Sequence, residues 1–121
     1  MNYNENFSLE PIKYFCEVDH IWKVEEFRDL KNFIGCYKVS DLGRVKSLKK
    51  KPKILKNNNA SFGYKNVCLS KNNNRKTYTV HVLVAIAFLN HNPGGYNFVV
   101  NHKNYNPSDN RVSNLEIVTQ R

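Results

Sequence analysis

A chain of 121 residues with 40% hydrophobic content has room for one core and at most a small appendage. Nineteen Lys and Arg face ten Asp and Glu, a net charge of +9 that favours a polyanionic partner, because each neutralised phosphate releases condensed counterions. No run approaches membrane-spanning length, the opening MNYNENFSLEPIKYF lacks the layout of a signal peptide, and Cys16, Cys36 and Cys68 are too scattered for a disulfide framework or a structural zinc site.

The expectation is an intracellular, monomeric protein with buried free thiols, no membrane partner and no small-molecule cofactor. Asn and Lys are abundant, which a nucleotide bias in the source genome also produces, so charge alone does not assign a function.

Residues 1–20 lack periodicity and are predicted to form a tail. IWKV (21–24) reads as a short strand with Trp22 anchoring a small core, and EEFRDLKNFIG as a polar connection ending on Gly35. CYKVS, DLG and RVKSL have the form of a hairpin around Gly43. The basic, then Asn-rich link KKKPKILKNNNASFG holds Pro52 and places a boundary there, giving modules 21–56 and 57–121.

YKNVCLS, the turn KNNN and RKTYTV predict a second hairpin with period-two alternation. HVLVAIAFL, with Ala85 and Ala87 among larger apolar residues, predicts a buried core helix bounded by NHNPGG. His81 opens that helix and reads as a cap or core residue, whereas His20 and His91 lie in polar surroundings and read as solvated. FVVNH is a predicted strand, KNYNPSDNRVS a loop, and LEIV a strand. Thr119 follows where a helix N-cap would stand.

The blocks VHVLVAIAF, VVNH and DNRVSNLEIVT together resemble the HNH endonuclease family, in its phage and intron-encoded branch. The upstream block IWKV…GCYKVSDLGRVKSL resembles the small DNA-contacting motif often found before such nuclease domains. The resemblance covers about residues 21–121 and implies an α+β chain: a small β-rich module followed by an HNH domain of the ββα-metal (His-Me finger) type.

It further implies metal-dependent hydrolysis of DNA phosphodiesters. His102 would be the general base, Asn101 a ligand for Mg²⁺ (or Mn²⁺), and Asn114 the middle Asn that orients the histidine and holds the loop. Asn110 is expected to brace the same loop. In this branch a second metal ligand lies on the final helix, about one turn beyond the equivalent of Thr119. The chain ends at Arg121, so the resemblance implies a domain truncated at the start of that helix, whether by a shortened gene, an imposed boundary or an element supplied by a partner.

Double-stranded DNA is the expected partner. Arg44 and Lys46 in the first hairpin are its candidate contacts, and Lys65, Lys71, Arg75 and Lys76 form an electrostatic patch around the second. Two rivals remain at this level: a DNA-binding remnant without catalysis, and an RNA-binding protein.

Overall fold

The structure, a computed structural model, describes residues 7–92 and 98–119. Its strands come in antiparallel groups. The strands β1 (Lys13–Cys16) and β2 (Ile21–Val24) form a hairpin. A four-stranded sheet follows in chain order: β3 (Phe27–Asp29), β4 (Tyr37–Ser40), β5 (Val45–Ser47) and β6 (Lys53–Ile54). Next are the three strands β7 (Asn58–Asn59), β8 (Lys65–Lys71) and β9 (Asn74–Thr79). A helix, α1 (Val80–Phe88), runs on from β9, and the hairpin β10 (Phe98–His102) and β11 (Leu115–Thr119) closes the described chain. This is the expected α+β class, mostly β with one helix.

Local chemistry explains the long hairpin. Between Lys71 and Asn74 the turn residues Asn72 and Asn73 both have positive φ, 54° and 66°, a two-residue geometry that Asn tolerates and that matches the twist of antiparallel strands. Period-two alternation then turns Val67, Leu69 and Tyr78 inward and leaves Cys68 and Thr77 outside.

α1 buries Val80, Leu83, Val84 and Ala85. Each of the three larger side chains contributes about 1.5–3 kcal/mol by leaving water. One core joins Leu30, Phe33, Tyr37, Val39 and Val45 to Val67, Leu69, Val80, Leu83, Val84 and Leu115. The four-stranded sheet and the segment from β8 to β11 are thus packed through shared hydrocarbon, across the position where the sequence suggested a module boundary.

Four expectations are corrected. Residues 13–16, within the expected tail, are a strand whose register pairs Phe15 with Trp22. The "polar connection" contains β3 and supplies Leu30 and Phe33 to the core. Trp22 is 72% exposed and packs edge-on against Phe15 rather than anchoring a core. His91 is buried, not solvated.

The three cysteines are free, as expected, but only Cys16 is buried and Cys68 is exposed. Thr119 is the last residue of β11, paired with Phe98; Gln120, Arg121 and much of NHNPGG lie outside the described residues.

Candidate active site and nucleic-acid interface

β10 ends on His102, whose register partner is the buried Leu115. The imidazole is 6% exposed, with aromatic and polar neighbours beside the Leu115 position. Its ring lies 4.9 Å from that of His81 and 6.0 Å from that of Tyr64, centroid to centroid. Nε2 lies 2.9 Å from Oδ1 of the buried Asn110. An amide oxygen only accepts, so Nε2 carries the proton and the lone pair of the neutral ring sits on Nδ1.

Asn114 has a different task. Its Nδ2 donates to Asn104 Oδ1 and to the Asp109 carbonyl, both at 2.9 Å, and its Oδ1 accepts from the Asn104 N–H at 3.0 Å. Its own carbonyl accepts from the Lys103 N–H at 2.7 Å. Asn114 therefore staples the 103–109 loop, while the direct hydrogen bond to the histidine comes from Asn110. In that loop burial pushes the Asp109 carboxyl up, but the hydrogen bonds and charge of Arg111 outweigh this and hold it below the usual carboxylate range.

Asn101 precedes His102 in an extended strand, and successive side chains of a strand leave from opposite faces. The two groups therefore do not share one face of the hairpin. Asn101 lies opposite Glu116 in the register, and its Nδ2 donates to Glu116 Oε1 at 2.9 Å. Its Oδ1 accepts no hydrogen bond from a described residue.

An amide oxygen beside a carboxylate is a hard-oxygen donor set, which fits Mg²⁺ or Mn²⁺ rather than a soft metal. Among the described residues no group of three or more His, Cys, Asp or Glu forms a cage. A cation here would keep water and phosphate oxygens in most of its positions, which is the habit of Mg²⁺.

His81 sits in the first turn of α1, half-buried between the rings of Tyr64 and His102. The N-cap position belongs to Thr79, so of the two expected roles the packing one remains. Burial, followed by the neighbouring His102 and His91, lowers its pKa to about 4. It is neutral at pH 7 and lines His102 with an uncharged ring.

The expected DNA contacts divide. Arg44 is corrected: it is 1% exposed and forms a two-pronged ion pair with Glu25, Nε to Oε2 at 2.9 Å and Nη2 to Oε1 at 2.5 Å. Nη1 and Nη2 also donate to the carbonyls of Ser8 and Glu10. This guanidinium clamps the N-terminal segment and offers no face to a phosphate.

Lys46 is half-buried, its Nζ 4.1 Å from the Phe27 ring centroid. Lys65 is tied to Asn59, and Lys71 donates to the Asn32 carbonyl at 2.8 Å. Arg75 and Lys76 are exposed, but as neighbours in β9 they point from opposite faces of the sheet. They do not make one patch.

Sequence reading missed Glu116 and Tyr64. Glu116 becomes visible only once FVVNH is paired with LEIVT in antiparallel register, which sets it opposite Asn101. No pattern pointed to Tyr64.

Comparison with known proteins defines the class. Residues 25–70 match the NUMOD4 motif and residues 78–121 match the HNH endonuclease family. The chain carries a NUMOD4 motif followed by an HNH endonuclease domain.

Among individual proteins it is 41% identical over 96 residues to DNA endonuclease I-HmuI of Bacillus phage SP01, covering 79% of this chain and 53% of that protein. It is 46% identical over 80 residues to an uncharacterized HNH endonuclease of Acanthamoeba polyphaga mimivirus, covering 66% of this chain and 23% of the relative. The solved structure described as DNA binding and cleavage by the HNH homing endonuclease I-HmuI superposes with a TM-score of 0.70, over 78% of this chain and 53% of that one. The chain thus spans about half of the phage enzyme and a quarter of the viral one. Among the described residues no helix is long and apolar enough to cross a membrane.

Proposed function

We propose that this chain is the catalytic part of a metal-dependent DNA endonuclease that hydrolyses phosphodiester bonds with His102 as general base. The observation that carries the reading is the 2.9 Å contact between His102 Nε2 and Asn110 Oδ1. It selects the tautomer with a free Nδ1 lone pair, the form a base needs near neutral pH. Likeness to a DNA-cleaving phage enzyme supports the choice of substrate.

In the proposed reaction, a water molecule attacks phosphorus as its proton passes to His102 Nδ1. The P–O bond to the departing sugar breaks, and that oxygen takes a proton from solvent. Asn110 keeps the imidazole oriented, and Asn114 keeps the following loop folded beside it. Tyr64 and the neutral His81 wall the ring, so no second imidazolium opposes its protonation. Asn101 and Glu116, paired on the face of the hairpin away from His102, are the residues that would hold Mg²⁺ or Mn²⁺, and a cation reaching the phosphate around the end of β10 would supply positive charge to it. Lys71 and Lys76, which leave the β8–β9 hairpin from one face, supply positive charge for the DNA backbone, and Arg75 adds charge on the other face.

Nicking of supercoiled plasmid in Mg²⁺ or Mn²⁺ tests the proposal. His102→Ala should reduce cleavage by about 10²–10⁴-fold, the usual contribution of a general base, without weakening DNA binding. Binding of duplex DNA without any cleavage by the unmodified chain would instead identify a DNA-binding remnant, and tighter binding to RNA than to duplex DNA at fixed salt would redirect the assignment altogether.

A further inference from the structure

Asn101, the metal ligand of the proposed reaction, is neutral, and the structure holds a carboxylate one strand away. Glu116 lies directly opposite Asn101 in the β10–β11 register and accepts from Asn101 Nδ2 at 2.9 Å. Both are half-buried, on the hairpin face that alternates away from His102 and Leu115. The salt bridges among the described residues leave Glu116 out, in a chain whose net charge is +9.

The two ends of an amide are not interchangeable: the nitrogen donates and the oxygen accepts. A carboxylate can only accept, so a hydrogen bond from Nδ2 to Glu116 decides which end of Asn101 faces the strand partner. The other end, Oδ1, is the end that can ligate a metal, and it accepts no hydrogen bond from a described residue. An aspartate at position 101 would need no such sorting, because its two oxygens are equivalent. An asparagine does.

We propose that Glu116 is a positioning residue for a hard divalent cation: it fixes the flip of the Asn101 amide so that Oδ1 is presented, and it supplies beside the site the negative charge that Asn101 lacks. The inference rests on the metal-dependent reading above. It makes two separable contributions, orientation and charge, and substitution can divide them. Glu116→Gln keeps an acceptor oxygen for Nδ2 but removes the charge. Glu116→Leu removes both. Asn101→Asp combined with Glu116→Gln moves the charge across the strand pair.

The test is Mn²⁺ binding to the full chain, read from the loss of the free aquo-ion signal in electron paramagnetic resonance, together with the ¹⁵N–¹H₂ side-chain resonances of Asn101 in cation-free protein. Glu116→Gln should weaken Mn²⁺ binding about 10-fold, and Glu116→Leu by up to about 100-fold, the range seen when the hydrogen-bond partner of a metal ligand is lost. The Asn101 amide resonances should move in Glu116→Leu and stay close to wild type in Glu116→Gln. The Asn101→Asp/Glu116→Gln chain should recover affinity.

Mn²⁺ affinities within twofold of wild type in both single variants, or unmoved Asn101 resonances in Glu116→Leu, overturn the role of Glu116 and leave the nuclease reading standing wherever wild type nicks plasmid and His102→Ala does not. A wild-type chain that neither binds Mn²⁺ nor nicks plasmid in Mg²⁺ overturns the metal-dependent reading itself, and the inference with it.

Discussion

Replacing Arg44 distinguishes a clamp from a nucleic-acid contact, two roles with opposite signatures. Both side chains of the Arg44–Glu25 pair have zero exposure. Arg44→Leu would leave a buried, uncompensated carboxylate and remove the guanidinium bonds to the Ser8 and Glu10 carbonyls. Breaking one partner of such a pair costs about 3–5 kcal/mol. For a domain of this size each kcal/mol lowers the melting temperature by about 3–5 °C, so the variant should melt on the order of 10–20 °C earlier.

Glu25→Leu/Arg44→Leu removes the stranded charge and should recover most of that loss. The Ile12 N–H, which Glu25 Oε1 accepts at 3.1 Å, is left to account for about 1 kcal/mol. Thermal unfolding followed by circular dichroism, with duplex-DNA affinity measured across a salt series, reads both signatures. A phosphate contact would lower the salt slope by about 0.9 on removal, whereas a clamp leaves it unchanged. A melting point within about 2 °C of wild type together with a reduced slope in Arg44→Leu would refute the clamp.

Two further outcomes are expected. His81 binds its proton less tightly folded than unfolded, so the unfolded chain takes up more protons between pH 6.5 and about 4. Stability from its neutral form is complete above pH 6.5 and falls as pH drops through that window, by roughly 2 kcal/mol once solvent screening of this half-buried ring is allowed for. Asp41, pushed up by burial, works in the opposite sense, so the His81 share is isolated by comparing melting temperatures at pH 7 and pH 4.5 between wild type and His81→Phe. Equal pH dependence in the two proteins counts against it. Asn114→Ala deletes the side-chain bonds to Asn104 and Asp109, each worth about 1 kcal/mol net, and should lower stability by about 2–4 kcal/mol. It should also speed amide exchange at Asn104 without reversing the His102 tautomer seen by ¹⁵N shifts. A reversed tautomer would return to Asn114 the orienting role that the hydrogen bonds give to Asn110.

What the sequence made legible was whatever depended on local pattern. The alternation in YKNVCLS and RKTYTV, with two Asn able to take positive φ between them, was sufficient to predict β8–β9 and its turn. The Ala-spaced apolar run did the same for α1. Tertiary partners were not legible in this way. Arg44 sits in a motif that reads as surface, and only the fold brings Glu25 and the Ser8 and Glu10 carbonyls around it. Trp22 reads as core because indole is large and apolar, yet its strand belongs to a two-stranded hairpin whose outer face nothing described covers. The site shows the same division: the family resemblance singled out His102, Asn110 and Asn114, but which Asn bonds the imidazole is a matter of loop geometry. Glu116 required a strand register that one strand's sequence does not contain.

Asp41 is a small junction with a large reach. Its carbonyl accepts the Val112 N–H at 2.8 Å, and its carboxylate accepts the Tyr14 hydroxyl at 2.7 Å and the Glu26 N–H at 3.0 Å. The first hairpin, the NUMOD4 turn and the segment that leads into β11 are therefore fastened together at one residue. Whatever surface the first hairpin and the NUMOD4 turn present is thereby tied to the loop that carries Asn110 and Asn114, and transplanting that surface onto another domain would mean carrying the Asp41–Val112 fastening along with it.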